Sequence, residues 1–106
     1  MHPYLRKRRT MLIRASAIYQ EADSEWRAGL RAAEVLVPGI RGRGYWSIGN
    51  PGSRIRSLYD RRDRALQRLA VAMIKMNVAR ERLRKRKAEE TRARLRLMME
   101  KRGADL

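Results

Sequence analysis

The sequence lacks cysteine, has a single histidine at position 2 and contains no phenylalanine. Without cysteine the chain can form neither a disulfide framework nor a thiolate metal site. This composition fits a reducing compartment, so we expect a cytoplasmic protein. His2 lies at a terminus that is expected to fray, no nucleophile stands beside a base, and no carboxylates have metal-ligand spacing. We therefore expect no enzyme activity, no catalytic residue, no metal and no cofactor.

Long uncharged stretches are missing as well. The longest one in the hydrophobic part of the chain, residues 69–74, is far too short to span a bilayer, so we expect no transmembrane segment. Acidic residues are scarce, with 11 Asp and Glu against 27 Lys and Arg, for a net charge of +16. A GC-rich genome could explain the preference for Arg over Lys, but it does not explain the shortage of acids. A charge this large opposes compaction and attracts polyanions.

Proline and glycine divide the 106 residues into three segments. Residues 53–102 contain neither residue type, whereas residues 38–52 contain two prolines and five glycines. We predict one domain over residues 1–106, with a helix over about 4–37, a loop over 38–52 and a helix over about 53–102. Ser53 is the expected N-cap of the second helix, and Gly103 is expected just past its end.

Each predicted helix carries a seam of apolar and small residues at alternating steps of three and four. The seam residues are Leu12, Ala15, Tyr19, Ala22, Trp26, Gly29, Ala33 and Leu36 in the first helix, and Ile55, Leu58, Arg62, Ala65, Leu69, Ala72, Met76, Ala79 and Leu83 in the second. This spacing predicts an all-α fold, an antiparallel, coiled-coil-like two-helix hairpin whose second helix is the longer.

Side-chain size predicts the register of the hairpin. If facing residue numbers sum to 91, large residues oppose small ones, as in Trp26 against Ala65, and Leu36 meets Ile55 beside the loop. Arg62 then lies in the seam, where it requires a partner or an exit to solvent. We expect Arg61, Arg62 and Arg64 to pair with acids across or along the hairpin and to serve the fold.

Apolar residues remain that a two-helix hairpin cannot bury. Because each helix can bury only one face, we expect self-association into an oligomer or a partner protein to cover the others. The predicted protein interface consists of Met11, Ile18, Val71, Ile74, Val78, Leu95, Met98 and Met99.

Two basic runs converge at the open end of the predicted hairpin, where the first helix begins. We call them together the open-end cluster. Its ten members are Arg6, Lys7, Arg8, Arg9, Arg80, Arg82, Arg84, Lys85, Arg86 and Lys87. An isolated charge run is usually a solvated face that promotes solubility. The convergence of two distant runs instead favours binding of a polyanion.

The loop offers a second, weaker candidate. Arg41 and Arg43 each precede a glycine and lie next to Tyr45 and Trp46, a pattern that suits single-stranded nucleic acid. In the competing interpretation, which the apolar area of the aromatic rings favours, Tyr45, Trp46 and Ile48 fold back beside Leu36 and Ile55.

The leading functional hypothesis is a non-enzymatic protein that binds RNA or DNA by its phosphate backbone. The alternative is a structural or adaptor protein that docks on another protein within a larger assembly, its basic surface meeting an acidic protein surface or only keeping it soluble.

Overall fold

A computed structural model describes the backbone of residues 2–105 and the side chains of residues 2–103. Two helices, α1 (Pro3–Leu36) and α2 (Arg54–Asp105), are joined by a connection that contains one short 3₁₀ turn at Ile40–Gly42. The described residues form no strand. The helices pack against each other as an antiparallel hairpin, and α2 is the longer, with 52 residues against 34. The predicted fold class is confirmed.

The helix ends follow local chemistry. The backbone N–H of Tyr4 donates to Nδ1 of His2 at 3.1 Å, and a proline occupies the first turn of α1, where its missing N–H costs nothing. Ser53 caps α2 as predicted, because its Oγ accepts a hydrogen bond from the N–H of Arg56 at 3.1 Å. The expected stop at Gly103 is wrong. The helix continues through it to Asp105.

The predicted seam is the surface along which the helices pack. Every seam residue except Leu36 is buried or half-buried, and among the described residues only Ala22, Ala65, Met76 and Ala79 are fully buried. Leu36 ends α1 and is 81% exposed, so its predicted contact with Ile55 beside the loop is wrong. Three of the four buried residues are alanines, which makes the core narrow.

The predicted register is also wrong. The guanidinium of Arg61 bonds to Glu25 and that of Arg62 to Asp23, while Gly29 lies against Leu58. Facing residue numbers therefore sum to 85–87 rather than 91, a displacement of four to six residues, which is more than one helical turn.

A glycine and an ion pair explain the observed register. A Cβ on Gly29 would lie only 2.6 Å from a terminal methyl group of Leu58, so the absence of a side chain lets this leucine pack closely. The register predicted from size would have opposed Gly29 to Arg62 and left the arginine away from its carboxylate.

The molecule is a rod of 87 × 24 × 19 Å. Its radius of gyration is 24.9 Å, whereas a compact domain of this length has one of about 13 Å. From Glu89 to Gly103 every side chain is exposed, because α1 begins beside the preceding turn of α2 and does not reach further. We call residues 88–105 the C-terminal extension. Over residues 2–105, no helix combines the length and the hydropathy needed to cross a bilayer.

Candidate functional site

The hairpin brings the two basic runs together at its open end. The guanidinium carbon of Arg86 lies 5.1 Å from the ring centroid of Tyr4, in the first turn of α1. Such a contact is a cation–π interaction, and it places the start of α1 against the second basic run. Residues more than seventy positions apart in sequence thus share one end of the rod.

Most of the open-end cluster is exposed and uncompensated. Arg8 is half-buried and the other nine members are exposed. Arg84 is held by both carboxylate oxygens of Glu81, at 2.6 and 3.1 Å, and this hydrogen-bonded pairing lowers the pKa of Glu81 and raises that of Arg84. Within the part of the chain that the structure describes, no other member of the cluster forms an ion pair.

The start of α1 strengthens the positive field at this end. The first turn contains no acidic residue, so the positive end of the helix dipole adds to the charge of the adjacent cations. Repulsion among these groups decays over about 10 Å at 0.1 M salt. The cluster is therefore a concentrated positive surface, and its potential will depend strongly on ionic strength.

The arginines of the loop lie at the opposite end of the hairpin. Arg41 donates to both carboxylate oxygens of Glu34, at 2.7 and 2.9 Å, and lies 6.0 Å from the ring centroid of Trp46. The hydrogen bonds to Glu34 raise the pKa of Arg41. Arg43 is exposed. The structure thus separates Arg41 and Arg43 from the open-end cluster, and the guanidinium of Arg41 is already bound to Glu34 within the fold.

The aromatic residues of the loop only partly close this end of the hairpin. Trp46 and Ile48 are half-buried, and the indole N–H of Trp26 donates to the carbonyl oxygen of Ser47 at 2.9 Å. Tyr45 is 83% exposed, so its predicted folding back is wrong. Its φ of 59° lies in the left-handed region, which is uncommon for a residue other than glycine.

Arg62 obtains the partner that its seam position requires. It donates to Asp23 at 2.7 Å and to the hydroxyl of Tyr19 at 3.2 Å, and its guanidinium carbon lies 4.7 Å from a ring centroid of Trp26. The hydrogen bond from Arg62 lowers the pKa of Asp23. The predicted pairing is confirmed for Arg61 and Arg62. It is wrong for Arg64, which is exposed and forms no ion pair with any described residue.

The predicted protein-interface residues are exposed, as expected for uncovered apolar side chains. Met11 and Val71 line one groove between the helices, which Arg64, Arg68 and Lys75 border with positive charge. Ile18, Ile74 and Val78 are exposed along the hairpin, and the remaining three lie on the C-terminal extension. The extension members are Leu95, Met98 and Met99.

A second groove, on the other side of the seam, was not predicted from the sequence. No charged side chain lines it, and we call it the uncharged groove. Its lining residues are Leu12, Ile13, Ser16, Ala17, Gln20, Leu69 and Met73. On α2 its signal was the pair Leu69 and Met73, four positions apart, of which the predicted seam included only Leu69.

Comparisons with models of known protein families, with curated proteins and with solved structures found no match to this chain. Among the described residues, no three His, Cys, Asp or Glu side chains come together as metal ligands would. What the arrangement offers chemically is a dense set of hydrogen-bond donors and positive charges at one end and apolar grooves along the rod.

Proposed function

We propose that the protein binds nucleic acid by its phosphate backbone through the open-end cluster, without enzymatic activity and in the cytoplasm. The observation that carries this proposal is the contact of Arg86 with Tyr4, which joins two basic runs into one surface. Arginine guanidinium groups and lysine ammonium groups both bind phosphate oxygens, and arginine can do so in a bidentate manner.

The chemistry of the cluster favours contact with the backbone over recognition of bases. Its members offer donors and charge, and the nearest aromatic ring, that of Tyr4, is half-buried and covered by Arg86. Stacking on exposed bases would need a free ring. Contacts to phosphate position a protein without reading sequence, so we expect little sequence preference for either RNA or DNA.

Charge reversal tests the proposal. Arg82, Lys85 and Lys87 are exposed members without an ion pair among the described residues, so changing all three to Glu removes cations with little effect on packing. Titration of a labelled RNA strand and a labelled DNA duplex, followed by fluorescence anisotropy at several salt concentrations, should show a loss of affinity of about 100-fold near 0.1 M salt. The slope of log K against log salt should become shallower by about three units for the duplex.

A matched control reverses three charges in the loop half of the hairpin. Arg31→Glu, Arg54→Glu and Arg64→Glu change the net charge by the same amount at three exposed positions. This variant should bind within about threefold of the parent chain if the open end is the site. Equal losses in the two variants, or an affinity indifferent to salt, would contradict the proposal.

A second candidate function is that of an adaptor or structural protein, and the exposed apolar residues Val71, Ile74 and Val78 favour it. The acidic surface of a protein partner would then replace the phosphate backbone at the open end. Ile74→Ser with Val78→Ser should weaken docking on such a partner and leave nucleic-acid affinity unchanged, whereas charge reversal at the open end should weaken nucleic-acid binding in the leading proposal.

A further inference from the structure

The hairpin exposes far more surface than its size requires. Its accessible surface is 8817 Å², whereas a compact monomer of 12.5 kDa exposes about 6,200 Å². The elongated shape accounts for the excess, which exceeds the roughly 1,600 Å² that a standard protein–protein interface buries in total. With only four fully buried residues among those described, the fold gains from any association that covers its apolar grooves.

Met73, which lines the uncharged groove, also belongs to a stripe along α2 that returns in the C-terminal extension. Beside the groove, the stripe comprises Leu66, Ala70, Met73 and Asn77, at steps of four and three. In the extension, the same steps give Ala88, Thr91, Leu95 and Met98. The 22 residues from position 66 to position 88 make close to six helical turns, so both blocks lie on the same side of α2.

The two blocks also match in length. The block beside the groove, residues 66–77, extends about 18 Å, and the block in the extension, residues 88–98, extends about 16 Å. The extension cannot reach the groove of its own chain, because α2 is a continuous helix from Arg54 to Asp105. A second copy in the antiparallel direction can bring its extension there.

We propose that the uncharged groove is the docking site for the C-terminal extension of a second copy of this chain. A two-fold axis near residue 82 of α2 places Ala70 opposite Leu95 and Met73 opposite Thr91 of the other copy. The arrangement is reciprocal, so each extension covers the groove of the other chain and the assembly closes as a dimer. The two helices of one chain and the C-terminal extension of the other then surround the apolar side chains of each groove.

Charge makes this pairing sensitive to salt. Between the two blocks, the stripe carries Arg80 and Arg84, and the two-fold axis brings the two open-end clusters together. Glu81, which holds Arg84 in the hairpin, offsets only part of this charge. Added salt screens the repulsion, so the dimer should tighten as salt rises, whereas binding to a nucleic acid weakens. The inference does not rest on the proposed function, because it can be tested without nucleic acid.

Cysteine cross-linking provides the test, since the chain contains no cysteine of its own. Full-length Ala70→Cys and Leu95→Cys variants, mixed at 0.5 M NaCl and oxidised, should form a disulfide-linked dimer, whereas each variant alone should not. The matched control mixes Ala70→Cys with Leu97→Cys, because Leu97 is exposed like Leu95 but lies on the other side of α2. We expect about tenfold more cross-linked product from the first mixture.

Light scattering of the parent chain at the same salt should give the mass of a dimer. Leu95→Glu with Met98→Glu should raise the dimer dissociation constant by at least about tenfold, and Leu97→Glu should leave it unchanged, with helix content checked by circular dichroism. A monomer at all concentrations up to about 100 μM, or equal cross-linking in the two mixtures, would overturn the proposal and leave the groove for a different protein. Neither result would bear on nucleic-acid binding.

Discussion

Arg62 shows how a charged residue can occupy a hydrophobic seam. Its side chain is 22% exposed and that of Asp23 is 18% exposed, so both charges are largely removed from water. The guanidinium is satisfied by a carboxylate, a phenol oxygen and an indole ring at once. Such a constellation can form in only one register, so Arg62 contributes to the alignment of the helices as well as to their stability.

Removal of the Asp23 charge should destabilise the hairpin. Asp23→Asn leaves the guanidinium of Arg62 half-buried beside a neutral amide, at an expected cost of about 1–3 kcal/mol in the free energy of unfolding, measured by urea denaturation at pH 7. Asp60→Asn is the matched control. Asp60 pairs with Arg56 at 3.3 Å near the surface, where an ion pair contributes roughly 0–1 kcal/mol. Equal costs for the two variants would show that burial does not strengthen the Asp23 pair.

The same pair should give the hairpin a sensitivity to acid. The hydrogen bond from Arg62 holds the pKa of Asp23 in the folded chain below its ordinary value of 3.8, so the folded state binds fewer protons than the unfolded state near that pH. The resulting stability is fully present above pH 3.8 and disappears as pH falls through the lower pKa of the folded state. The difference in unfolding free energy between the parent chain and Asp23→Asn should therefore shrink below this pH. If this difference in unfolding free energy did not change with pH, the cost of Asp23→Asn would come from packing and not from the charge of Asp23.

At the scale of the elements, the connection between the helices depends on glycines with left-handed backbone angles. Gly49 has φ 83°, and a Cβ there would lie 2.7 Å from both the backbone nitrogen of Arg56 and the Oγ of Ser53. Gly49 therefore packs against the N-cap of α2. Gly52 has a similar φ of 81°, but a Cβ there would meet nothing within 4 Å.

Alanine substitutions at these two glycines should separate backbone strain from close packing. Gly52→Ala should cost about 1 kcal/mol, because only the left-handed conformation is penalised. Gly49→Ala should cost at least about 2 kcal/mol, because the added methyl also displaces the cap of α2. Thermal unfolding followed by circular dichroism gives both values. Equal costs at the two sites would show that the close packing of Gly49 against the N-cap of α2 adds nothing to the cost of the substitution.

At the scale of the whole molecule, a net charge of +16 on a thin rod opposes folding. Repulsion is strongest at the open end, where the two basic runs share one surface. Raising NaCl from 20 to 500 mM should therefore raise the midpoint of thermal unfolding, by about 5 °C for each kcal/mol of repulsion that is screened.

The variant Arg82→Glu, Lys85→Glu and Lys87→Glu provides the comparison for this prediction. It replaces three positive charges at the open end with three negative ones and so lowers the net charge by six. Its unfolding midpoint should therefore rise less with salt than that of the parent chain. The measurement is made at about 1 μM protein to limit self-association. A salt dependence equal in the two proteins would place the repulsion elsewhere on the rod.

The amino-acid sequence by itself determined the all-helical class, the two-helix hairpin, the greater length of α2 and the residues of the seam. These properties depend on local chemistry: the confinement of Pro and Gly to one segment, the cap at Ser53, and steps of three and four that are independent of the partner helix. The open-end cluster was predictable for the same reason, since any hairpin with these helices joins the two basic runs.

Only the tertiary structure decided the register, the role of individual arginines and the second apolar side of the rod. Sliding one helix past the other by a turn keeps a similar seam in contact, so side-chain size alone could not distinguish the alternatives. Two contacts distinguish the registers: the close approach of Leu58 to Gly29 and the hydrogen bond between Arg62 and Asp23. Each of them requires particular atoms at short range. The uncharged groove follows from that register, since its lining comes from both helices.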